Sequence, residues 1–435
     1  ENAQDFFALG LGLSDQASNP AKGWNGRTLT KAGEGTLTLD GNNSYTGGTV
    51  LAGGMLQVSR DANLGDANGK VVFDGGALRA LESFTSSRAI TLLQTGSVDV
   101  EQSRTLDLTG EISGGGDLVK TGRGMLSLSN PGNTYGNTWI KSGALLGNAS
   151  SIRGNVDNGG ILVFEQVADG VFGGSITGFG TMVKTGAGTL SLTGNHAAYA
   201  GSTVASEGRL LVLGALGGSA VVNGGVLQFG NGASGAASKL TGNLPVYSGS
   251  LSVQGPATLT VDGDIGMADR TTLDIGAGAG GPAITAGSVK LGADVALAIN
   301  GIDGAGPAEQ VLIDTRSGIS GDFGRVSVGG NGGGVDYLGV NAGKSEDGRR
   351  YLASYGLRWM ANNSLAHGTF TLSGAADRFE VNAALADQAA NAALGWNGRT
   401  LTKRGAGTLV LSGDNRYTGG TVLDGGTVQV DRDAN

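Results

Sequence analysis

Leu29-Thr30-Lys31-Ala32-Gly33-Glu34-Gly35-Thr36-Leu37-Thr38-Leu39 decides the reading of this chain. Thr36-Leu37-Thr38-Leu39 alternates polar and apolar residues with a period of two, which places Leu37 and Leu39 on one face of a strand and the threonines on the other. The preceding Gly-x-Gly supplies a turn. A strand this short hides little apolar surface alone, so the segment needs neighbours.

The neighbours are copies of itself. Leu401 to Leu409 repeats Leu-Thr-Lys-x-Gly-x-Gly-Thr-Leu, and looser copies run from Leu118 to Leu126 and from Met182 to Leu190. A Tyr follows each copy's Lys at 14 or 15 residues: Tyr45, Tyr135, Tyr199 and Tyr417. Gly-Gly-x-Leu starts at Gly53 and again at Gly75, a step of 22. Related pairs begin at Gly143 and Gly160 and at Gly208 and Gly225, steps of 17. Strands of four to six residues recurring every 17–22 residues describe one rung of a β-solenoid. Stacked rungs put Leu over Leu and Val over Val while backbone groups pair with the rungs on either side. At about 4.8 Å per rung, the chain is expected to form a rod of roughly 100 Å.

A longer period overlies the short one. Residues 1–63 match residues 373–435 at 40 of 63 positions, and Gly23 to Lys31 recurs letter for letter at Gly395 to Lys403. The expectation is a super-repeat of about 372 residues, taken from a longer tandem array. Residues 1–26 then close one super-repeat, 27–285 form a solenoid, 286–372 form a β-rich module that caps or interrupts it, and 373–435 open the next copy. The Ala-rich stretch 383–394 reads as helix alone. Its counterpart carries Gly10, Gly12 and Pro20, so the two copies together predict loop or strand.

Composition agrees with an all-β chain rich in turns. Of 435 residues, 84 are Gly and 6 are Pro, only 15% are charged, and 39% are apolar, too many for a disordered chain. The net charge of −8 leaves no basic stripe for nucleic acid. No apolar run reaches the length of a membrane-spanning helix. With no Cys, disulfides and thiol chemistry are excluded.

The unit running from Leu29 through Asn43-Ser44-Tyr45-Thr46-Gly47-Gly48-Thr49-Val50 to Gly53-Gly54-Met55-Leu56 resembles the passenger-associated transport repeat of autotransporters, as does Leu401 to Val430. Asp61-Ala62-Asn63-Leu64-Gly65 and Val71 to Leu78 continue the pattern. The copies at 118–147 and 182–213 depart from it, with Trp139 and Lys141 inside the Gly-Gly-Thr-Val segment and His196-Ala197-Ala198 widening the Tyr turn. The resemblance implies a right-handed parallel β-helix on the surface of a Gram-negative bacterium, or secreted from it. Membrane attachment would come only through a C-terminal barrel absent from this chain. It also implies an adhesin acting in cell adhesion, aggregation or biofilm formation. The partner would be a host-cell or bacterial-surface receptor, a glycan, or another copy. The alternative it leaves is a passive spacer displaying an enzyme domain located elsewhere. The region 311–359 is similar to the folding modules that close such passengers.

The residues suggest no catalytic, cofactor or metal site. His196 and His367 lie far apart and read as turn or surface residues. Gly343-Lys344-Ser345 imitates the end of a phosphate loop but opens onto a turn, and Gly276-Ala277-Gly278-Ala279-Gly280-Gly281 reads as a low-complexity turn. Asp61, Asn63, Asp66 and Asn68 could spread oxygens around Ca²⁺, although this is the repeat's ordinary corner. Asp262 and Asp264 form the nearest thing to the carboxylate pair of a polysaccharide-cleaving solenoid, by alternation on one face. Lys31, Lys120, Lys184 and Lys403 read as structural, snorkelling over the column before a Gly-x-Gly turn. The four tyrosines read as stacking on turns. Trp24, Trp139, Trp359 and Trp396 are left as the exposed-aromatic candidates for contact with carbohydrate or a partner.

Overall fold

The computed structural model describes residues 2–276, 281–302, 308–330, 333–360 and 364–432. Apart from four 3₁₀ turns of three or four residues, the elements described are strands. Two compact units emerge, residues 1–220 and 221–435, and each is a parallel β-solenoid.

In the first unit the polypeptide winds through three stacks of short strands. One runs Phe6–Leu9, Thr36–Leu39, Met55–Val58, Ala77–Ala80, Gly96–Val100, Leu118–Thr121, Thr138–Ile140, Val156–Asn158 and Ile176–Gly178, all parallel. A second holds Leu29–Lys31, Thr49–Leu51, Val71–Phe73, Ile90–Leu92 and Ile112–Ser113. The third passes through Met125–Leu128, Ala144–Gly147, Ile161–Glu165 and Thr181–Thr185. Register produces the expected columns: Leu37, Leu56, Leu78 and Val98 stack in one, and Leu106, Leu126, Leu145, Leu162 and Met182 in another. Most of these side chains are fully buried. Each stacked Leu removes apolar area from water that one rung alone leaves exposed, worth about 2 kcal/mol per side chain.

The second unit begins the same way and then changes. Ser238–Leu240, Leu259–Val261, Ile284–Ala286 and Ala308–Thr315 stack in parallel. Parallel stacking therefore continues past residue 286, and Phe323–Gly330 still lies parallel on Val295–Asn300. Antiparallel pairing enters where Arg350–Leu357 joins Ala308–Thr315 and forms a hairpin with Leu338–Lys344. Beyond it, Leu401–Arg404 stacks between Thr369–Thr371 and Thr421–Asp424, and Thr408–Leu411 between Arg378–Val381 and Thr427–Val430. Tyr337, Phe370 and Phe379 cluster in this region, with ring centroids 4.5–6.5 Å apart. Residues 383–391 carry no strand or helix and lead into a single 3₁₀ turn, Ala392–Leu394, as the paired copies predict.

The repeat motif does not keep to one face. The first copy's second strand, Thr36–Leu39, lies in the stack that later holds the second copy's first strand, Leu118–Thr121. The second copy's Met125–Leu128 lies in the stack that later holds the third copy's Thr181–Thr185. Within the first unit the second and third copies thus each advance by one face relative to the copy before.

Candidate functional site

Local geometry around the repeat's lysine explains why the motif reads as it does. Lys120 points inward, in register between Val98 and Ile140 in the apolar column. Its side chain is fully buried. Nζ donates to the carbonyls of Thr121 and Gly122 in its own turn, the latter at 2.9 Å, and to Ser142 O at 3.3 Å one rung later. Lys184 does the same with Thr185 O at 2.9 Å, Gly186 O at 2.6 Å and Glu207 O at 2.9 Å. Lys31 donates to Ala32 O, Gly33 O and Gly53 O at 2.8–3.0 Å, and Lys403 to Arg404 O, Gly405 O and Gly425 O at 2.7–3.4 Å.

The expectation of snorkelling lysines is therefore corrected. The ammonium ends inside the corner because three carbonyl oxygens there replace its water shell. Burial draws Lys120 down to about 8 and pushes Lys184 and Lys403 down as well. At neutral pH Lys120 keeps its proton and fills all three bonds. The clamp also accounts for the Gly-Gly-x-Leu element. Gly143 sits at φ +70°, and a Cβ there would lie 2.4 Å from the carbonyl oxygens of Gly122 and Gly124 and 2.8 Å from Lys120 Nζ.

A second internal cation fills the corner considered for Ca²⁺. Arg88 is buried and donates to both carboxylate oxygens of Asp61 at 2.9 and 3.0 Å. It also donates to the carbonyls of Asp61, Gly65, Asp66 and Gly69. Of the side-chain oxygens considered for a metal, the Asp61 carboxylate is held by a guanidinium from a later rung, Asn63 Oδ1 accepts the Ser59 and Arg60 N–H groups, and Asp66 Oδ1 accepts from Asn68. Among the described residues no three of His, Cys, Asp and Glu come together as a metal site.

The other candidates resolve as follows. His196 opens the turn to Tyr199, as expected, but is fully buried rather than at the surface, and its Nδ1 accepts the Ile176 N–H at 3.0 Å. In the first and second copies the equivalent acceptor is an asparagine: Asn43 Oδ1 takes Leu13 N–H at 2.7 Å, and Asn133 Oδ1 takes Ile112 N–H at 2.9 Å. His196 is a stand-in for that Asn. The asparagines also donate through Nδ2, to Asn63 O and Ser151 O, whereas His196 Nε2 has no partner. Burial brings His196 down to about 4. His367 Nδ1 accepts Thr369 N–H at 3.1 Å in the second unit.

Tyr45, Tyr135 and Tyr199 are core residues whose hydroxyls bond within the corner, to Thr49, to Thr138, and to Gly180 O and Ser202 O. Tyr417 repeats the first pattern with Thr421. Asp262 and Asp264 occupy the turn between Leu259–Val261 and Ile265–Met267, so alternation on one strand face is not what relates them. Asp262 pairs with Lys239 at 3.0 Å, and Asp264 accepts the Ser288 hydroxyl at 2.8 Å. Lys344 and Ser345 end a hairpin strand, Lys344 donating to Gly321 O at 2.9 Å, and no helix follows. Residues 277–280 of the other glycine run lie outside the described residues.

The four tryptophans do not converge. Trp359 and Trp396 are buried, packed edge to face with centroids 5.1 Å apart, and Trp359 lies 5.3 Å from the Tyr417 ring. Their candidacy as exposed aromatics is corrected, because the indoles form one core cluster with their N–H groups donated to Ala386 O and Thr400 O. Trp24 and Trp139 remain exposed, at 41% and 37%.

Parallel rungs stapled by motif-borne lysines define a repeat β-solenoid of the passenger type. The Passenger-associated-transport-repeat family matches at residues 29–58, 118–146, 182–212 and 401–430, the four clamp-bearing segments. The chain is 38% identical over 169 residues to the Adhesin BmaC autotransporter of Brucella suis biovar 1, covering 39% of this chain and 5% of that protein. It is 28% identical over 288 residues to the uncharacterized lipoprotein YdeK of Escherichia coli K12 (61% and 20%). Against the probable autotransporter YfaL of the same strain it is 30% identical over 145 residues (28% and 12%). The chain thus spans a fifth or less of each of these relatives. No solved structure matches it. Fold, repeats and relatives together support an autotransporter passenger domain carrying transport repeats.

Proposed function

We propose that the chain is part of the extracellular stalk of an autotransporter adhesin, exposed on or released from a Gram-negative cell and serving adhesion, aggregation or biofilm formation. The observation that carries this reading is the pairing of four transport repeats, stacked into solenoid rungs, with a relative that is itself named an adhesin autotransporter. In this reading the chain catalyses nothing; it extends a surface and multiplies weak contacts along it. The partner is a receptor or glycan on a host or bacterial cell, or another copy. The test is the sedimentation rate of cells displaying a passenger with and without residues 27–411. Faster clumping or attachment with the segment is expected; equal rates on every surface tried would remove the adhesion reading.

A passive spacer for an enzyme elsewhere is the second reading, favoured by the inward direction of the motif's Lys and Tyr side chains. It predicts that replacing the segment with an unrelated solenoid of equal length preserves function.

A further inference from the structure

Among the described repeat copies, the second breaks the pattern outwardly. Where the others carry Val50, Val204 and Val422, it carries Trp139, on the solvent face of a strand and in register between Val119 and Asp157. The indole is exposed yet held. Its Nε1 donates to Asp117 Oδ2 at 3.1 Å, and Lys141 Nζ stands 4.6 Å from the ring centroid. Asp117 is itself fixed by the Asn137 N–H at 2.7 Å, and Lys141 by Asp157 at 3.3 Å. A large apolar ring locked in the open contributes little to folding, but its rotamer is ready for a ligand.

Asp117 also ends a groove of about 540 Å³ along the adjoining corner, floored by Gly75, Gly76, Gly115 and Gly116 and flanked by Gln94 and Thr95. Ala77, Ser97 and the exposed Leu93 also line it, so glycines and small side chains leave it open. The surroundings are acidic, with Asp74 bonded to Gln94 and with Asp99 and Asp157 on the same face. The nearby cations are already engaged: Lys141 with Asp157, and Arg79 with Asp99 and Glu101.

We infer that Trp139 and the groove ending at Asp117 bind a neutral glycan, the indole stacking on the apolar face of a pyranose while Asp117, Gln94 and Thr95 bond its hydroxyls. The flat, open groove suits an extended chain of sugar rings, and its carboxylates repel uronates and sialic acids. This deepens the adhesion reading and rests on it for its biological role only.

The test uses the 435-residue chain against neutral hexasaccharides of glucose, galactose, mannose and N-acetylglucosamine, with heparin and polysialic acid as acidic counterparts, read by calorimetry. At least one neutral sugar should bind. Trp139→Ala should weaken it tenfold or more, and so should Gly115→Leu, which adds a bulky side chain at a lining position where a Cβ meets nothing within 4 Å. Unchanged melting temperatures would show that both variants stay folded. Binding of no neutral sugar, binding indifferent to both variants, or tighter binding of the acidic polymers would each overturn the site. Clumping of displaying cells, measured separately, decides the adhesion reading, and a blank panel with clumping intact would remove the glycan site alone.

Discussion

At the scale of single residues, Lys31, Arg88, Lys120, Lys184 and Lys403 are charges kept inside as internal ties. Lys120 holds three carbonyls, of which Gly122 O also takes the Ser142 hydroxyl at 3.1 Å, so Lys120→Met strands the other two acceptors in a dry column. The expected loss is roughly 2–4 kcal/mol, read as a lower urea midpoint at unchanged slope. Lys141→Met, which removes a half-exposed ion pair and the cation beside the exposed Trp139 ring, should cost no more than about 1 kcal/mol. His196 gives the opposite test, a group held neutral. Its folded value of about 4 lies below the 6.5 of an unfolded histidine, so the unfolded chain binds the proton first. Stability is therefore full above pH 6.5 and falls as pH drops from 6.5 towards 4, by on the order of 3 kcal/mol in all. Protonation would also set an Nδ1–H against the Ile176 N–H that now points at it. His196→Asn restores the acceptor and the second donor used at Asn133, and should abolish that acid sensitivity. Melting curves across pH 4–7 for parent and variant check this; parallel curves would refute it.

At the scale of the element, one corner explains three motif positions at once. Lysine, Gly-x-Gly and the later Gly-Gly occur together because ammonium, turn carbonyls and the next rung's positive-φ glycine touch. Gly143→Ala should therefore cost several kcal/mol, about 1 for the left-handed backbone and the rest for a Cβ at 2.4 Å from two carbonyl oxygens. Gly115→Ala, with nothing within 4 Å of its added methyl, should leave the urea midpoint unmoved; equal losses at both would refute the clamp geometry. Strands, turns and inward columns were legible in the sequence because their period of two and their glycines are local signals. The lysine's inward direction was not, since its acceptors lie up to 23 residues away. Nor was the burial of Trp359 and Trp396, which depends on two segments meeting in the second unit.

At the scale of the whole molecule, the stepping of the motif by one face per copy determines what the repeats can do together. A ligand-binding stripe would need its residues on one face, whereas the first three copies place their clamps in three successive stacks. Each clamp ties only its own rung to the next. Stability in such a stack is a sum of local rungs and nearest-neighbour interfaces. Lys120 and Lys184 lie in different stacks, with the rungs of 138–147 and 156–165 between them and no shared acceptor. Their losses should then add: the Lys120→Met, Lys184→Met double variant should fall within about 0.5 kcal/mol of the sum of the singles. The measurement is a double-mutant cycle on urea midpoints, followed by tryptophan fluorescence with Trp24 and Trp139 as the reporters within the first unit. A coupling well beyond that margin would mean the clamps act as one cooperative lock, and the independent-staple account of how the repeats hold the solenoid would fail.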